Sequence, residues 1–429
     1  MNHPSIYLRG TCRSCRGELT EILSLGPLRL NAFPRHAWEI DQIHRIPLIL
    51  MVCKGCGLVQ LDRTVPPDWM FRTYYYRSSV NEAMVAELHG IVDEACGMVD
   101  VRDLGRAVPH VLDIGANDGT LLDRYAALGD QRPVRYAVEP ALNLHDHLRH
   151  HCDVLVPDYF PLDSLAGVKF KIITAIAMAY DLEDPLSFFR AIHDLLDDRG
   201  VAVIQFQDFG QQIECAAFDT IVHEHLEYYT LWSLTHLFKQ TGLMVERAQH
   251  TPINGGSLRL HLRRQEDGIR PEPSVARQLL REAQQGLDTP GIREGHLDAF
   301  STFRRRVEAA KSHVASAVET AIEQGCTLDV YGASTKGNTL LQVLGLGPGQ
   351  IRHAIDRSPE KTGRLTITGI PIVDEETGRK DPADVWLVNI WQFKDVIRAR
   401  ESSFLHNGGS MIFPLPYCEI VREVPSAEG

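Results

Sequence analysis

The chain has 429 residues, 44% apolar and 23% charged, enough for two or three domains that each bury a core. A formal net charge of −12 works against a sequence-independent hold on a phosphate backbone, so nucleic acid is not an expected partner. No apolar run nears the roughly 20 residues that cross a bilayer, and the opening MNHPSIYLRGTC has no apolar signal core, so a cytoplasmic protein without membrane contact is expected.

Four of the nine cysteines fall into two CxxC pairs, Cys12 with Cys15 and Cys53 with Cys56. Two such knuckles can present four thiolates tetrahedrally to one Zn2+, and a segment of about 60 residues with little core gains folding free energy from that metal. The expected zinc is therefore structural and the site closed; a redox pair or free thiols are the alternatives. Between the knuckles, LSLGPLRLNAFP and IPLILMVC suit short strands and loops. Next comes FRTYYYRSSV, Phe71 to Val80, ahead of a helical stretch over Asn81 to Met98. The tyrosines either pack the zinc module or form a lid on the domain that follows, and their position favours the lid.

Val111 to Thr120, VLDIGANDGT, reads as a buried strand that turns into a helix through a Gly-x-x-x-Gly loop. Free N-H groups at the helix start and the missing Cβ of Gly115 and Gly119 would let a nucleotide-like ligand approach the backbone. The pattern is neither GxGxxG nor a phosphate loop. It resembles the first motif of the S-adenosylmethionine (SAM) methyltransferases. Glu139, roughly 20 residues on, ends the next apolar run, where doubly wound sheets set a carboxylate against ribose hydroxyls. The SAM set is therefore read as Asp113, Gly115, Asn117, Asp118, Gly119, Glu139 and Ala177. An acid-rich set suits a sulfonium cation better than an anion.

Strands are predicted over 110–114, 134–139, 153–156, 171–177 and 200–207, alternating with helices, which implies a mostly parallel sheet with right-handed crossovers. After a helix over 231–241, runs at 243–250 and 258–263 joined by TPINGGS predict a hairpin and one antiparallel strand. FDTIVHEHLEYY follows the fifth strand, at the carboxyl edge where ligands bind in such folds. A zinc protease would need His-Glu-x-x-His, which is absent. One of His223 and His225 can face a pocket as a general base with Glu224 orienting it; a metal pair or a satisfied structural histidine are the other readings. Beyond residue 268, helices are expected over 272–289 and 295–324. LDVYGASTKGNTLLQVLG then repeats the strand, glycine turn and helix, with Ser334, Thr335, Lys336 and Asn338 able to donate to an anion. With strand candidates at 385–391 and 410–414, this part reads as a second, smaller Rossmann-like unit, and the tail 425–429 as frayed.

Taken in order, CxxC...CxxC, SSVNEAM, DIGANDGTLL, AMAYDLEDP, DTIVHEHLEYY, NGGSLR, YGASTKGNT and FPLP resemble, over nearly the whole chain, the sugar C-methyltransferases of deoxysugar biosynthesis. The resemblance implies an α/β protein of three parts: a zinc-binding module (1–66), a class I methyltransferase Rossmann-like domain with a seven-stranded sheet (67–268) and a C-terminal Rossmann-like substrate domain with a long helix (269–429). It implies SAM and structural Zn2+ as cofactors, and a monomer acting on a nucleotide-linked 4-ketosugar, commonly a dTDP-sugar, at C3. It makes His225 the base, with Glu224 and Tyr76 beside it. Tyr76, His223, Asn254 and Ser257 fall near the sugar, and Lys336 and Asn338 near the nucleotide. Val222 stands where relatives carry tyrosine, and QFQD where they tend to carry a Glu-Gln pair, so the sugar and the carbon attacked are the open points.

The chemistry follows from first principles. A carbon becomes nucleophilic when a base removes a proton next to a carbonyl, and histidine is suited to that near neutral pH. Methylation of another small molecule at O, N or C, a zinc-ribbon RNA methyltransferase and a SAM-binding scaffold are the rival readings. The negative charge opposes RNA, and the intact glycine turn and His-Glu-His run oppose the scaffold.

Overall fold

The computed structural model describes residues 5–101, 108–288 and 299–422. The chain divides into two compact units, one of Met1–Thr20, Met51–Gln211 and Glu224–Ile292, the other of Glu21–Leu50, Gln212–His223 and Arg293–Gly429. The predicted tail 425–429 and the start of the long helix, 295–298, lie outside the described residues.

The first unit is built on a seven-stranded sheet. Its strands are β1 (His110–Ile114), β2 (Val134–Val138), β3 (Val154–Val156), β4 (Phe170–Ile176), β5 (Leu196–Gln207), β6 (Leu243–Thr251) and β7 (Ser257–Arg264). Their spatial order is β6-β7-β5-β4-β1-β2-β3. Strands β1 to β5 pair in parallel, and β7 runs antiparallel to both β5 and β6. This is the class I methyltransferase layout, with the predicted hairpin as β6 and β7. Chain order reverses between β1 and β4, and the loops leaving these two strands frame the crevice at the carboxyl edge.

Helices cover both faces, so the strands read as nearly continuous apolar runs. Residue alternation still sorts them: Leu112, Ile114, Ile173, Ala175, Ile204 and Phe206 enter one core, while Val111, Ile172, Val201 and Val203 enter the other. Helix α1 (Glu82–Met98) starts on Asn81, whose side chain accepts the Ala83 amide, and buries Met84, Leu88, Ile91, Val92 and Ala95 against the second core. Helix α2 (Pro185–Leu195) is capped by Asp184 and buries Phe188, Phe189, Ile192 and Leu195 in the first.

The strands between the knuckles are longer than predicted, Leu19–Arg29 and Arg45–Cys53, because alternate side chains of IPLILMVC are buried and hold an extended chain. After the second knuckle, Val59–Leu61 pairs antiparallel with Glu227–Tyr228, in the register Glu227 to Gln60 and Tyr228 to Val59. The segment after His225 is thus a strand of the zinc module's sheet.

The second unit carries a sheet of six strands, β8 (Leu328–Tyr331), β9 (Ala354–Ile355), β10 (Ile372–Val373), β11 (Val385–Val388), β12 (Ser410–Phe413) and β13 (Glu419–Arg422). The order is β10-β9-β8-β11-β12-β13, parallel except for β13. Chain order again reverses beside the strand that leads into the glycine turn, as a Rossmann-like unit requires. The long helix Ala299–Glu323 buries Phe300, Phe303, Val307, Ala310, Val314, Val318 and Ala321, one stripe at spacings of three and four.

Candidate active site

At the carboxyl end of β1, Gly115 and Gly119 both have positive φ, 72° and 85°. A Cβ on Gly115 would lie 2.9 Å from the flexible Met178 side chain, whereas one on Gly119 would lie 2.6 Å from the Cβ of His151. Packing of the turn against residue 151 therefore requires glycine at 119.

Glu139, at the end of β2, is buried and accepts the backbone amides of Asn117 and Ala141, both at 2.8 Å. Burial outweighs these bonds and raises its pKa to about 7. Asp113 accepts the Thr174 hydroxyl at 2.6 Å, and burial, with Glu139 nearby, raises it to about 7 as well. The side chains of Asn117 and Asp118 serve the chain itself. Asn117 accepts the Ser78 amide at 3.0 Å and donates to the Tyr76 carbonyl at 3.1 Å, while Asp118 accepts the Ser79 amide at 2.9 Å. Burial disfavours ionisation of Asp118, but bonds from Thr120 and Ser79 win and hold its pKa below the ordinary value. The aromatic stretch 74–79 is thus strapped onto the glycine turn, and Asn143 fixes its other end through the backbone of Tyr74.

Ala177, one residue past β4, is a non-glycine residue at φ 55°, and its amide donates to the Gln205 carbonyl at 2.8 Å. A left-handed alanine stores about 1 kcal/mol or more and is held there by its surroundings, a mark of a functional turn. Four residues on, Asp181 donates its amide to Met178, and the Tyr180 carbonyl accepts the amides of Leu226 and Glu227 at 2.7 and 2.9 Å. The His225 ring stands edge-on to the Tyr180 ring with centroids 4.4 Å apart. The His-Glu-His run is a turn, not a helix, and these bonds dock its second half on the loop after β4. Arg13, fully buried inside the first knuckle, lies 3.6 Å from the equally buried carboxylate of Glu227, two residues beyond His225.

Tyr74, Tyr180 and Asp181 were not singled out from sequence. Burial pushes the Tyr74 phenol up, with the charges of Asp181, Glu224 and Glu139 and the Tyr76 phenol adding to it. One phenol therefore feels both the β2 carboxylate and the His225 segment. Tyr76 is 41% exposed, and Tyr74 turns further inward. Position in a YYY run carried no signal to separate them. Asn254 has φ 57°, and its carbonyl accepts from Gln207 at 3.4 Å; Ser257 pairs with Gln207 across β5 and β7 and donates to the Ile253 carbonyl at 3.0 Å. Both belong to the same carboxyl edge of β5.

Three predicted substrate residues belong to the second unit. His223 is buried, with Nε2 against the Ile46 carbonyl at 3.0 Å. Asn338 donates its amide N-H to the Ala32 carbonyl at 3.2 Å and accepts the Ile367 amide at 3.2 Å. Burial lowers the pKa of Lys336, and the charge of Asp219 works against that. Asp219 also accepts the Trp391 indole N-H at 2.8 Å.

The zinc reading is met by geometry. The sulfurs of Cys12, Cys15, Cys53 and Cys56 all lie within 4.8 Å of one another, with 3.6 Å between Cys12 and Cys56 and 3.4 Å between Cys15 and Cys53. Zn-S bonds of about 2.3 Å in a tetrahedron put sulfurs about 3.8 Å apart. A Cβ on Gly17 would sit 3.0 Å from the Cys53 sulfur, so the knuckle needs glycine there.

Three family models match the chain: a zinc binding domain over residues 12–71, a methyltransferase domain over 89–248 and a C-methyltransferase C-terminal domain over 252–416. A curated relative, the C-methyltransferase NovU of Streptomyces niveus, is 28% identical over 388 residues, 87% of each chain. Among solved structures, a SAM-dependent methyltransferase from Clostridium acetobutylicum is 11% identical and covers 42% of this chain and 91% of its own, at a TM-score of 0.34. The CcbJ methyltransferase of Streptomyces caelestis is 14% identical, covers 42% and 89%, and scores 0.33.

Proposed function

Because the chain belongs to the SAM-dependent C-methyltransferases that carry an N-terminal zinc-binding module, we propose that its acceptor is a nucleotide-linked 4-keto-deoxysugar, a dTDP-sugar methylated at C3. The observation that carries this reading is the docking of His225 on Tyr180, at the loop after β4 and beside the glycine turn of β1. A base at that edge suits removal of a proton from a carbon next to a ketone, the step C-methylation needs. The ordered motifs from CxxC to FPLP support the nucleotide sugar.

SAM, when bound, supplies a methyl group activated on a sulfonium. Glu139 is the residue for the ribose hydroxyls: each of its oxygens already accepts one amide and keeps a further lone pair. Gly115 leaves its backbone open at the turn. His225 accepts the α-proton, Glu224 orients it, and Tyr76 with the strapped 74–79 segment closes the pocket against water. Asn254 and Ser257 serve the sugar. The four cysteine thiolates hold the structural zinc.

The test is the half-reaction. His225→Ala should keep SAM affinity within about threefold and lose exchange of the sugar α-proton with D2O by about 10²-fold or more. Exchange at the wild-type rate in that variant removes His225 as the base.

A further inference from the structure

The loop that carries His225's partner ring also carries a group with no assigned task. The Oδ1 of Asp181 is buried and has no hydrogen-bond partner. An orphaned buried carboxyl oxygen is expensive unless something binds there. Titratable groups act on it from several elements: Glu224 and Glu227 from the segment around His225, Tyr74 from the strapped stretch, Tyr180 beside it with the His225 ring packed on that phenol, and Tyr229 beyond. Glu227 has Arg13, but Asp181 has no ion pair among the described residues. Burial first, then Glu224 and Glu227, drives Asp181 well above the ordinary carboxylate range and favours its acid form.

We propose that the carboxyl group of Asp181 is a further catalytic group, donating a hydrogen bond to the ketone oxygen of the acceptor while His225 removes the α-proton. In this step the C-H bond breaks and its proton goes to the imidazole. Its electron pair forms the C=C bond, and the carbonyl π pair moves onto the oxygen. The Asp181 proton stays on Asp181 and shares that charge, as a preorganised donor in a dry site does. Asp181 and Ala177 leave the same strand end, so the strained turn at Ala177 sets the donor's position. The inference rests on the ketone reading above.

The experiment follows α-proton exchange by NMR in D2O on a dTDP-linked 4-keto-6-deoxyhexose, with SAM affinity measured alongside. Asp181→Asn keeps a neutral donor and should stay within about tenfold of wild type. Asp181→Leu should lose about 10²- to 10³-fold with unchanged SAM affinity. Wild type should also lose exchange as pH rises and Asp181 ionises, a limb that Asp181→Asn lacks; this readout decides alone if the leucine variant does not fold. Wild-type exchange in Asp181→Leu, or an alkaline limb that persists in Asp181→Asn, overturns the proposal. If wild type itself exchanges no proton of the ketone, the ketone reading falls and the role of Asp181 with it.

Discussion

Glu139 gives the sharpest test of the SAM cradle. It is buried, its pKa rises from 4.5 to about 7, and burial is the main cause. A raised carboxyl favours the fold as the acid, so that contribution is whole below pH 4.5 and disappears as pH climbs through 7. The rise corresponds to about 3 kcal/mol, or roughly 6 to 12 °C at 2 to 4 °C per kcal/mol. Ligand-free wild type should lose about that much Tm between pH 5 and 8 relative to Glu139→Gln. The carboxylates that stabilise in the opposite sense, such as Asp153 and Glu94, titrate below this window and leave it undisturbed. Ribose hydroxyls donate to the ionised form, so SAM binding should expel the proton. Calorimetry in two buffers of different ionisation enthalpy should find about half a proton released at pH 7, and affinity should fall towards tenfold per pH unit well below 7. In Glu139→Gln both effects should vanish. A wild-type affinity flat from pH 5.5 to 8 with no proton released would refute the reasoning.

Cys56→Ser should cost the bound zinc, measured by metal analysis, and lower exchange activity too, since the strand after that knuckle registers Glu227 and hence His225. Retained activity in zinc-free protein would break that link. Gly119→Ala should destabilise by about 2 kcal/mol or more, read as Tm, because a left-handed alanine adds its own strain to a 2.6 Å clash. Gly115→Ala meets only a flexible methionine and should cost less stability. Glu282, fully buried, caps the helix Leu231–Phe238 by accepting the amides of Leu231 and Trp232 at 2.7 and 2.8 Å. Glu282→Ala should cost about 2 to 3 kcal/mol in denaturant unfolding, and Glu282→Gln, which keeps an acceptor, about 1.

The central sheet was legible because β1, β2, β4 and the end of β5 are apolar runs, most of them closed by glycine or an acidic residue, while β6 and β7 alternate about a turn, and β1 has the bounds expected. In the second unit, β9 and β10 are two residues each, too short for any periodicity, and neither was predicted. Residues 385–391 were read as one strand, but the chain leaves β11 after Val388 and Trp391 sits in a short turn, its indole bound to Asp219. Motif spacing assembled the four cysteines correctly, because a metal site is a local rule repeated twice. It could not divide His223 from His225. Adjacent histidines look equal in sequence, while in space one packs on Ile46 and the other on Tyr180.

The same limit explains Asn117, Asp118 and Asn338, whose polar groups were assigned to ligands and are bound to the chain's own backbone. A sequence shows which residues could bind something, but burial decides whether water, backbone or ligand holds the bond. Asp113, Glu139 and Asp181 are all raised, each first by burial, and none has a cationic partner among the described residues. Carboxyls held by cationic side chains shift the other way: Asp153 lies between Arg132 and Arg135, and Glu94 meets His261, Arg259 and Arg247, and these contacts lower the acids they hold. The raised, cation-free carboxyls at the ends of β1 and β2 are costly to keep in charged form. That form becomes favourable when a sulfonium and hydroxyl donors arrive, and that converts a loss of stability in the empty fold into affinity for the ligand.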